Sequence, residues 1–466
     1  MKKRGYNICK RRETMTKDNS FLGTAPVGGL LFKLAIPTIA AQLINMLYNV
    51  VDRIYIGHMD GDGALALTGL GVCLPIIMIV SAFAALISSG GAPRASIFMG
   101  KGDKESAEVT LGSCFCAQVI ISLILTAVLI IWHRPLLLAF GASENTIEYA
   151  SDYLAIYAIG TIFVQLTLGM NVFITAQGFT RVGMLTVLIG AVLNIILDPV
   201  LIFALDMGVK GAALATVISQ AVSCVWVILF LLGKKTVLRL RARNLGIKFG
   251  YLLPCMALGL APFIMQASES VIAVAFNSSL LKYGGDIAVG AMTIFSSVMQ
   301  LALMPLQGLA QGAQPITGYN LGARNPERIR RVFRILLISS LAYSMTVWCG
   351  VMLFPTAFAS IFTKDPEMIK FAATYLRIYC GALGIFGAQI ACQMTFVSLG
   401  KALSSMIVAV MRKFVLLLPL IYLMPLLFES KTCGVFTAEV VADVISVIFT
   451  VILFAIQFRK TIKSIE

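Results

Sequence analysis

The feature that most constrains this chain is a series of apolar runs, each long enough to cross a lipid bilayer. A helix needs about 20 apolar residues to span the hydrocarbon core. Runs of this length lie at 30–57, 64–92, 107–131, 148–175, 182–204, 209–233, 251–280, 287–316, 332–355, 368–399, 403–427 and 434–458. Charged residues make up only 13% of the chain, against about 25% in soluble proteins. We therefore predict an all-α integral membrane protein with twelve transmembrane helices.

The formal net charge of +15 would suggest nucleic acid binding in a soluble protein. Here Lys and Arg are concentrated in alternate loops, as the positive-inside rule describes for cytoplasmic loops. We therefore expect a lipid bilayer and no nucleic acid as the surroundings, with both termini in the cytoplasm. The short loops favour a bacterial plasma (inner) membrane. The basic N-terminal segment has no apolar core directly after it, so we expect no cleaved signal peptide and a start at either Met1 or Met15.

The second half of the chain repeats the first at a nearly constant offset. Asp52 has its counterpart in Asn277, and Gly100 has its counterpart in Gly322. The predicted parts are a cytoplasmic N-terminal segment 1–29, a first lobe 30–233, a cytoplasmic basic linker 234–250, a second lobe 251–458 and a cytoplasmic tail 459–466. Six spans per lobe give both lobes the same orientation, related by an axis along the membrane normal. A cavity between such lobes can open alternately to either side.

The first lobe carries polar side chains where apolar ones are expected. Asn194 and Asp198 are four residues apart and share one helix face, and Asp52 should lie at a similar depth. Ionisable residues inside a span are costly and usually functional, and this set provides the oxygen ligands or paired carboxylates that bind Na⁺ or a proton. Alternatively, Asp198 only caps a break at Pro199 and Asp52 lies in a wet interface.

The matching positions in the second lobe are apolar. Asn194 and Asp198 correspond to Leu416 and Leu420, so we expect the coupling ion in the first lobe. The spans of the second lobe instead contain Glu269, Arg412, Lys413, Glu439 and Asp443. Two interpretations stay open for this set. The charges form ion pairs inside the bundle that fix helix register, or they bind substrate or gate transport.

No motif in the chain indicates catalysis or a resident cofactor. The segment MGKGDK at 99–104 lacks the first glycine and the Ser or Thr of a P-loop. The histidines, His58 and His133, lie in loops without an HExxH pattern. Nucleophile–base motifs and selectivity-filter segments are also missing. We therefore expect neither an enzyme nor a channel, no cofactor, no metal other than a coupling Na⁺, and transport driven by an ion gradient.

Several segments together have the pattern of a known family. These are LFKLAIPTIAAQLINMLYNVVDRIYIGH in the first span, QGFTRVGMLTVLIGAVLNIILDP and GVKGAALATVISQ around the fifth and sixth, and PLQGLAQGAQPITGYNLGARNPERIRR in the second half. The chain resembles the multidrug and toxic compound extrusion (MATE) transporters, in particular their bacterial MepA-like branch, from about residue 22 to 458. The resemblance implies two six-helix lobes that rock to export lipophilic, often cationic compounds in exchange for H⁺ or Na⁺. We expect it to work as a monomer.

The resemblance also implies roles for individual residues. It places a cation site at Asp52, Asn171, Asn194, Asp198 and Thr216. The candidate substrate-binding residues are Tyr153, Glu269 and Asn277. Some relatives have a second-lobe Na⁺ site built on a Glu of the seventh span and an Asp of the tenth. Glu269 lies near the first of these, but the inner part of the tenth span has no acidic residue, so we expect no such Na⁺ site and expect Glu269 to meet a cationic substrate.

One alternative function belongs to the same superfamily. Flippases for lipid-linked saccharides share this lobe architecture, but they tend to need a strongly cationic cavity that matches a pyrophosphate group. The first lobe here is acidic instead. We therefore favour the multidrug exporter and keep the flippase as the alternative.

Overall fold

The computed structural model describes residues 20–59, 63–363 and 365–466, and the described part is helical without any strand. Most of the predicted segment 1–29, including both candidate start residues, lies outside the described residues. The twelve spans are α1 (Val27–Gly57), α2 (Gly63–Gly100), α3 (Lys104–Ala139), α4 (Ile147–Ala176), α5 (Thr180–Ala204), α6 (Gly208–Leu232), α7 (Phe249–Gly285), α8 (Ile287–Gly322), α9 (Pro326–Leu353), α10 (Pro366–Tyr379 with Leu383–Ser398), α11 (Ala402–Leu427) and α12 (Lys431–Lys463).

The tenth span is broken, whereas the sequence predicted one continuous helix over 368–399. Its two helices meet at an angle of 49° between Tyr379 and Leu383. The break leaves the carbonyl of Gly381 outside the helical hydrogen bonds, and the indole Nε1 of Trp348 in α9 donates to it at 3.1 Å. A side chain from a neighbouring helix thus satisfies the freed backbone group, as an apolar environment requires.

Several helices extend further than the apolar runs that predicted them. Helix α3 passes through a kink at Trp132 and ends at Ala139, beyond the predicted 131. Helix α8 ends at Gly322, beyond the predicted 316. Helices α7 and α8 are separated only around Gly285, where φ is 65°. Apolar runs mark the thickness of the hydrocarbon core, whereas helical hydrogen bonding continues into the polar ends.

The internal repeat is visible in the backbone. The turn between α2 and α3 places Gly102 at a φ of 77°, and the turn between α8 and α9 places its counterpart in the repeat, Arg324, at a φ of 52°. The next residues, Asp103 and Asn325, cap the following helices by accepting a hydrogen bond from a backbone amide at 3.0 and 3.2 Å. The two turns therefore have the same construction.

Two glycines related by the repeat bring the lobes into direct contact. Gly100 of α2 lies against the carbonyl of Tyr319 in α8, and Gly322 of α8 lies against the carbonyl of Ile97 in α2. The contact is reciprocal because Ile97 and Tyr319 are themselves related by the same offset as the two glycines. A Cβ atom on either glycine would collide with the opposite backbone. Helices α2 and α8 therefore cross at the pseudo-twofold axis, at the end of the molecule that carries the termini.

Other contacts between the lobes lie between that end and the middle of the spans. The hydroxyl of Thr38 in α1 donates to the carbonyl of Gly308 in α8 at 2.6 Å. The rings of Phe83 in α2 and Phe263 in α7 meet edge to face with centroids 5.1 Å apart. Beyond this level, apolar side chains of α1 and α7 are exposed, for example Val274 at 66%. The lobes are therefore closed at the end with the termini.

The short helix Phe21–Thr24 forms a strap across the two lobes at the same end. The carbonyl of Leu22 accepts hydrogen bonds from Nδ2 of Asn320 at 2.9 Å and from the guanidinium of Arg328 at 3.1 Å. The first residue of the helix places its ring against Gly178, in the turn between α4 and α5. The strap therefore contacts the second lobe through hydrogen bonds and the first through packing.

Buried polar side chains hold the basic linker 234–250 to the first lobe. Oε1 of Gln177 accepts hydrogen bonds from the backbone amides of Val237 and Leu238 at 2.9 and 2.8 Å. Glu108 of α3 is 2% exposed, and its carboxylate lies 3.1 Å from Nε of Arg241. The linker is therefore docked on α3 and on the end of α4.

We expect Glu108→Gln to loosen this linker. The amide keeps the shape of the carboxylate but not the charge that meets Arg241, which is 39% exposed, so the loss should be about 1 kcal/mol. Limited digestion with trypsin should cut the linker faster than in the wild type. The control is Glu105→Gln, an exposed residue one turn earlier. Equal cutting rates in both variants would show that Glu108 does not hold the linker.

Candidate cation site and its surroundings

Four of the five predicted cation-site residues come together where α1, α5 and α6 meet. Nδ2 of Asn194 donates to Oδ1 of Asp198 at 3.2 Å and approaches Oγ1 of Thr216 at 3.5 Å. The carboxyl group of Asp52 lies within hydrogen-bonding reach of that of Asp198. The site thus contains two neighbouring carboxyl groups, an amide and a hydroxyl.

Three oxygens of this site are buried and accept no hydrogen bond from the described residues. They are Oδ1 of Asp52, Oδ1 of Asn194 and Oδ2 of Asp198, in residues that are 8%, 2% and 0% exposed. Adjacent buried carboxylates without a counter-charge are unstable, because each ion loses its hydration and repels the other. The arrangement suits a proton shared between the carboxyl groups or a small cation such as Na⁺, which takes oxygen ligands.

The local structure of α5 follows from Pro199. Proline lacks the backbone N–H that an α-helix needs at this point, and the chain continues as a π-helical segment, Val200–Ala204. π-Helical turns inside longer helices are frequent at functional sites. Since the carboxylate of Asp198 accepts its hydrogen bond from the side chain of Asn194, it does not simply cap the break.

The structure does not bring Asn171 into this site. Its Nδ2 donates to the carbonyl of Gly183, at the start of α5, at 3.2 Å. Gly183 precedes Asn194 by eleven residues on the same helix, which corresponds to about 16 Å along the axis. Asn171 therefore lies about three turns away from the group that it was predicted to join.

Tyrosines of α4 and α1 lie beside the site. Tyr153 is 4% exposed, stacks on Tyr157 with ring centroids 6.3 Å apart, and has its hydroxyl near Thr216. It therefore lies inside the first lobe, not on an exposed surface. Tyr48 interacts with the carboxyl group of Asp52 and was missed in the sequence. Its position one turn before Asp52 was the available signal.

The charged residues of the second lobe form ion pairs, as the first of the two interpretations expected. Nε of Arg412 lies 2.7 Å from Oδ1 of Asp443, and its Nη2 lies 3.2 Å from Oε1 of Glu439. The guanidinium also lies over the ring of Phe386, 4.6 Å from the centroid. These pairs connect α11, where Met411–Leu417 is π-helical, to α12.

The third ion pair connects α11 to α7. Nζ of Lys413 lies 2.7 Å from Oε1 of Glu269, and the two side chains are 5% and 49% exposed. Asn277 follows Glu269 by eight residues on α7 and is also exposed. Of the three candidate substrate-binding residues, Glu269 and Asn277 are therefore accessible, whereas Tyr153 is enclosed.

Comparisons with known proteins agree on one family. The family model described as MatE matches residues 37–200 and 262–423, more than half of the chain. Among curated proteins, the chain is 23% identical to the multidrug export protein MepA of Staphylococcus haemolyticus, over 93% of this chain and 94% of that protein. It is 24% identical to an FAD transporter of Shewanella oneidensis, over 87% and 89% of the two chains.

Solved structures show the same fold. A multidrug resistance MATE transporter of the MOP superfamily, solved in an outward-facing conformation, superposes with a TM-score of 0.88 at 22% identity. The match covers 96% of this chain and 98% of that one. The arrangement of twelve helices in two lobes is therefore confirmed.

Proposed function

The chain belongs to the MATE family of transporters, in its MepA-like type, and on this premise we propose that it is a secondary active exporter of lipophilic, often cationic compounds, driven by H⁺ or Na⁺. The observation that carries the proposal is the set of unpartnered oxygens between α1, α5 and α6. A buried pair of carboxyl groups needs a proton or a cation, so occupancy of the site can follow the ion gradient.

The proposed mechanism is competition between ion and substrate for two conformations of the lobes. The observed closure at the end with the termini fits an outward-facing state if the termini are cytoplasmic. An ion that binds Asp52, Asn194 and Asp198 would favour the return to the inward-facing state and lower the affinity for substrate. The ion can drive this change only through its different affinity for the two states.

The charges on the accessible surfaces favour cationic substrates. Glu269 of α7 is a half-exposed carboxylate, and Asn277 lies on the same helix. Attraction between opposite charges gives selectivity for cations over a pyrophosphate-bearing lipid, and the MepA relative is named as a multidrug export protein. The flippase alternative would need a cationic cavity, and the buried site of the first lobe carries two carboxyl groups instead.

We propose the bacterial plasma membrane as the location. Uptake of ethidium into inside-out vesicles tests the function directly. With the wild-type protein, an imposed H⁺ or Na⁺ gradient should drive uptake, and collapse of that gradient should stop it. Vesicles without the protein are the control. Absence of ethidium uptake under either gradient would favour the flippase function over the exporter function.

A further inference from the structure

Five charged side chains of the second lobe form a charge network made of two ion-paired groups. They are Glu269 of α7, Arg412 and Lys413 of α11, and Glu439 and Asp443 of α12. Two cations and three carboxylates leave one excess negative charge when all five are ionised. An excess charge inside a membrane protein is costly and requires a counter-charge.

The excess charge lies at the buried end of the network, because Arg412 alone faces both Glu439 and Asp443. Arg412, Lys413, Glu439 and Asp443 have side chains that are at most 8% exposed, whereas Glu269 is 49% exposed. Lys413 compensates Glu269 at 2.7 Å, so the uncompensated charge is shared by the two buried carboxylates of α12. The carboxylate that a cation could reach is thus held by a buried lysine of its own protein.

We propose that Lys413 is a displaceable counter-cation, which a cationic substrate replaces at Glu269 and which then moves to Glu439. Arg412 donates to Oε1 of Glu439, so Oε2 can accept from a second donor. Lys413 directly follows Arg412, whose guanidinium reaches Glu439, and its flexible four-carbon chain permits two positions of the ammonium group. This inference rests on the proposed export of cationic compounds.

The π-helical segment Met411–Leu417 makes this movement local. Arg412 and Lys413 both lie in it, and π-helical turns are less regular than the α-helix around them. Arg412 stays between Glu439 and Asp443 while the neighbouring lysine changes partner. In this arrangement Arg412 pairs with Asp443, Lys413 pairs with Glu439, and the substrate cation pairs with Glu269. No excess charge then remains.

Lys413 therefore determines specificity for substrate charge. A monovalent cation forms an ion pair with the carboxylate of Glu269, but it must first displace the ammonium group of Lys413. A neutral compound of the same size gains nothing at this position and displaces nothing. The lysine thus weakens the binding of cations, leaves neutral compounds unaffected, and returns to Glu269 when the cation leaves.

The test is ethidium binding to the purified full-length protein in detergent, followed by fluorescence anisotropy without any ion gradient. Lys413→Met should bind ethidium roughly tenfold more tightly than the wild type, the range measured for close charge pairs. The neutral probe N-phenyl-1-naphthylamine should change by less than about twofold. The matched control is Lys210→Met, because Lys210 pairs with Asp152 at 3.4 Å on the surface of the first lobe.

A double-mutant cycle tests the movement of the lysine. Glu439→Gln should weaken ethidium binding severalfold in the wild type, because Lys413 loses its second partner. The same substitution should have a much smaller effect in the Lys413→Met background. If Lys413→Met does not fold, the single Glu439→Gln variant still decides whether ethidium affinity depends on α12.

Unchanged or weaker ethidium binding by Lys413→Met would overturn the proposal, as would equal effects of Glu439→Gln in both backgrounds. Absence of ethidium binding in every variant would overturn it as well. The assay needs no gradient. A failure of gradient-driven uptake in vesicles would therefore argue against the export function, while the measured effect of Lys413 on ethidium affinity would still stand.

Discussion

Inside-out vesicles that contain the Asp52→Asn variant are expected to lose gradient-driven ethidium uptake. The amide keeps the size of the side chain but cannot hold the charge that binds a proton or Na⁺ beside Asp198. Coupling free energies between two ligands are typically 1–3 kcal/mol, a change in affinity of about 5- to 150-fold, so loss of the ion site should lower uptake towards that of vesicles without the protein. The measurement is the initial rate of uptake under the gradient that drives the wild type.

The control for this variant is Asp152→Asn. Asp152 lies on α4 with its side chain 45% exposed, so the same chemical change occurs outside the buried site. Ethidium binding without a gradient should be retained by Asp52→Asn, because the accessible candidate substrate residues, Glu269 and Asn277, lie in the second lobe. Full coupled uptake by Asp52→Asn would mean that the coupling ion binds elsewhere, with Glu269 as the next residue to test.

Arg412→Met is expected to cause the largest loss of stability. The substitution leaves Glu439 and Asp443 buried without their shared cation. Removal of one partner from a buried ion pair costs about 3–5 kcal/mol, and here two carboxylates lose the same partner. The midpoint of thermal unfolding in detergent, followed by size-exclusion chromatography of heated samples, should fall clearly below that of the wild type.

Two variants separate lost pairing from lost packing. Arg334→Met replaces an exposed arginine of α9 and should leave the unfolding midpoint unchanged. The triple variant Arg412→Met, Glu439→Gln and Asp443→Asn removes all three charges and should recover most of the stability, because no uncompensated ion remains. A triple variant as unstable as Arg412→Met would assign the effect to packing on Phe386 instead.

The fold was largely predictable because its strongest signals are periodic and long. Apolar runs located the spans, and the constant offset between the two halves predicted the repeat that appears in the turns at Gly102 and Arg324. The break at Gly381 was not predictable, because it depends on a hydrogen bond from Trp348 in another helix. Apolar composition is the same on both sides of such a break.

The candidate site was predictable where its residues lie close in sequence. Asn194 and Asp198 share one helix face by their spacing alone, and the cost of burial singled out Asp52. Asn171 shows the limit of that reasoning. It shares a residue type with the site, but the depth at which the α4–α5 hairpin places it depends on how the two helices pair, and only the structure shows it beside Gly183.

The strap formed by Phe21–Thr24 has a consequence for biosynthesis. Its hydrogen bonds join Leu22 to residues 298 and 306 positions later in the chain. At a synthesis rate of about 5–20 residues per second, roughly 15–60 s pass between the synthesis of Leu22 and the synthesis of its hydrogen-bond donors. The strap can therefore dock only after α8 and the start of α9 have emerged from the ribosome. Docking of the strap thus reports that α7 and α8 have been made, while most of α9 and all of α10 to α12 are still to follow.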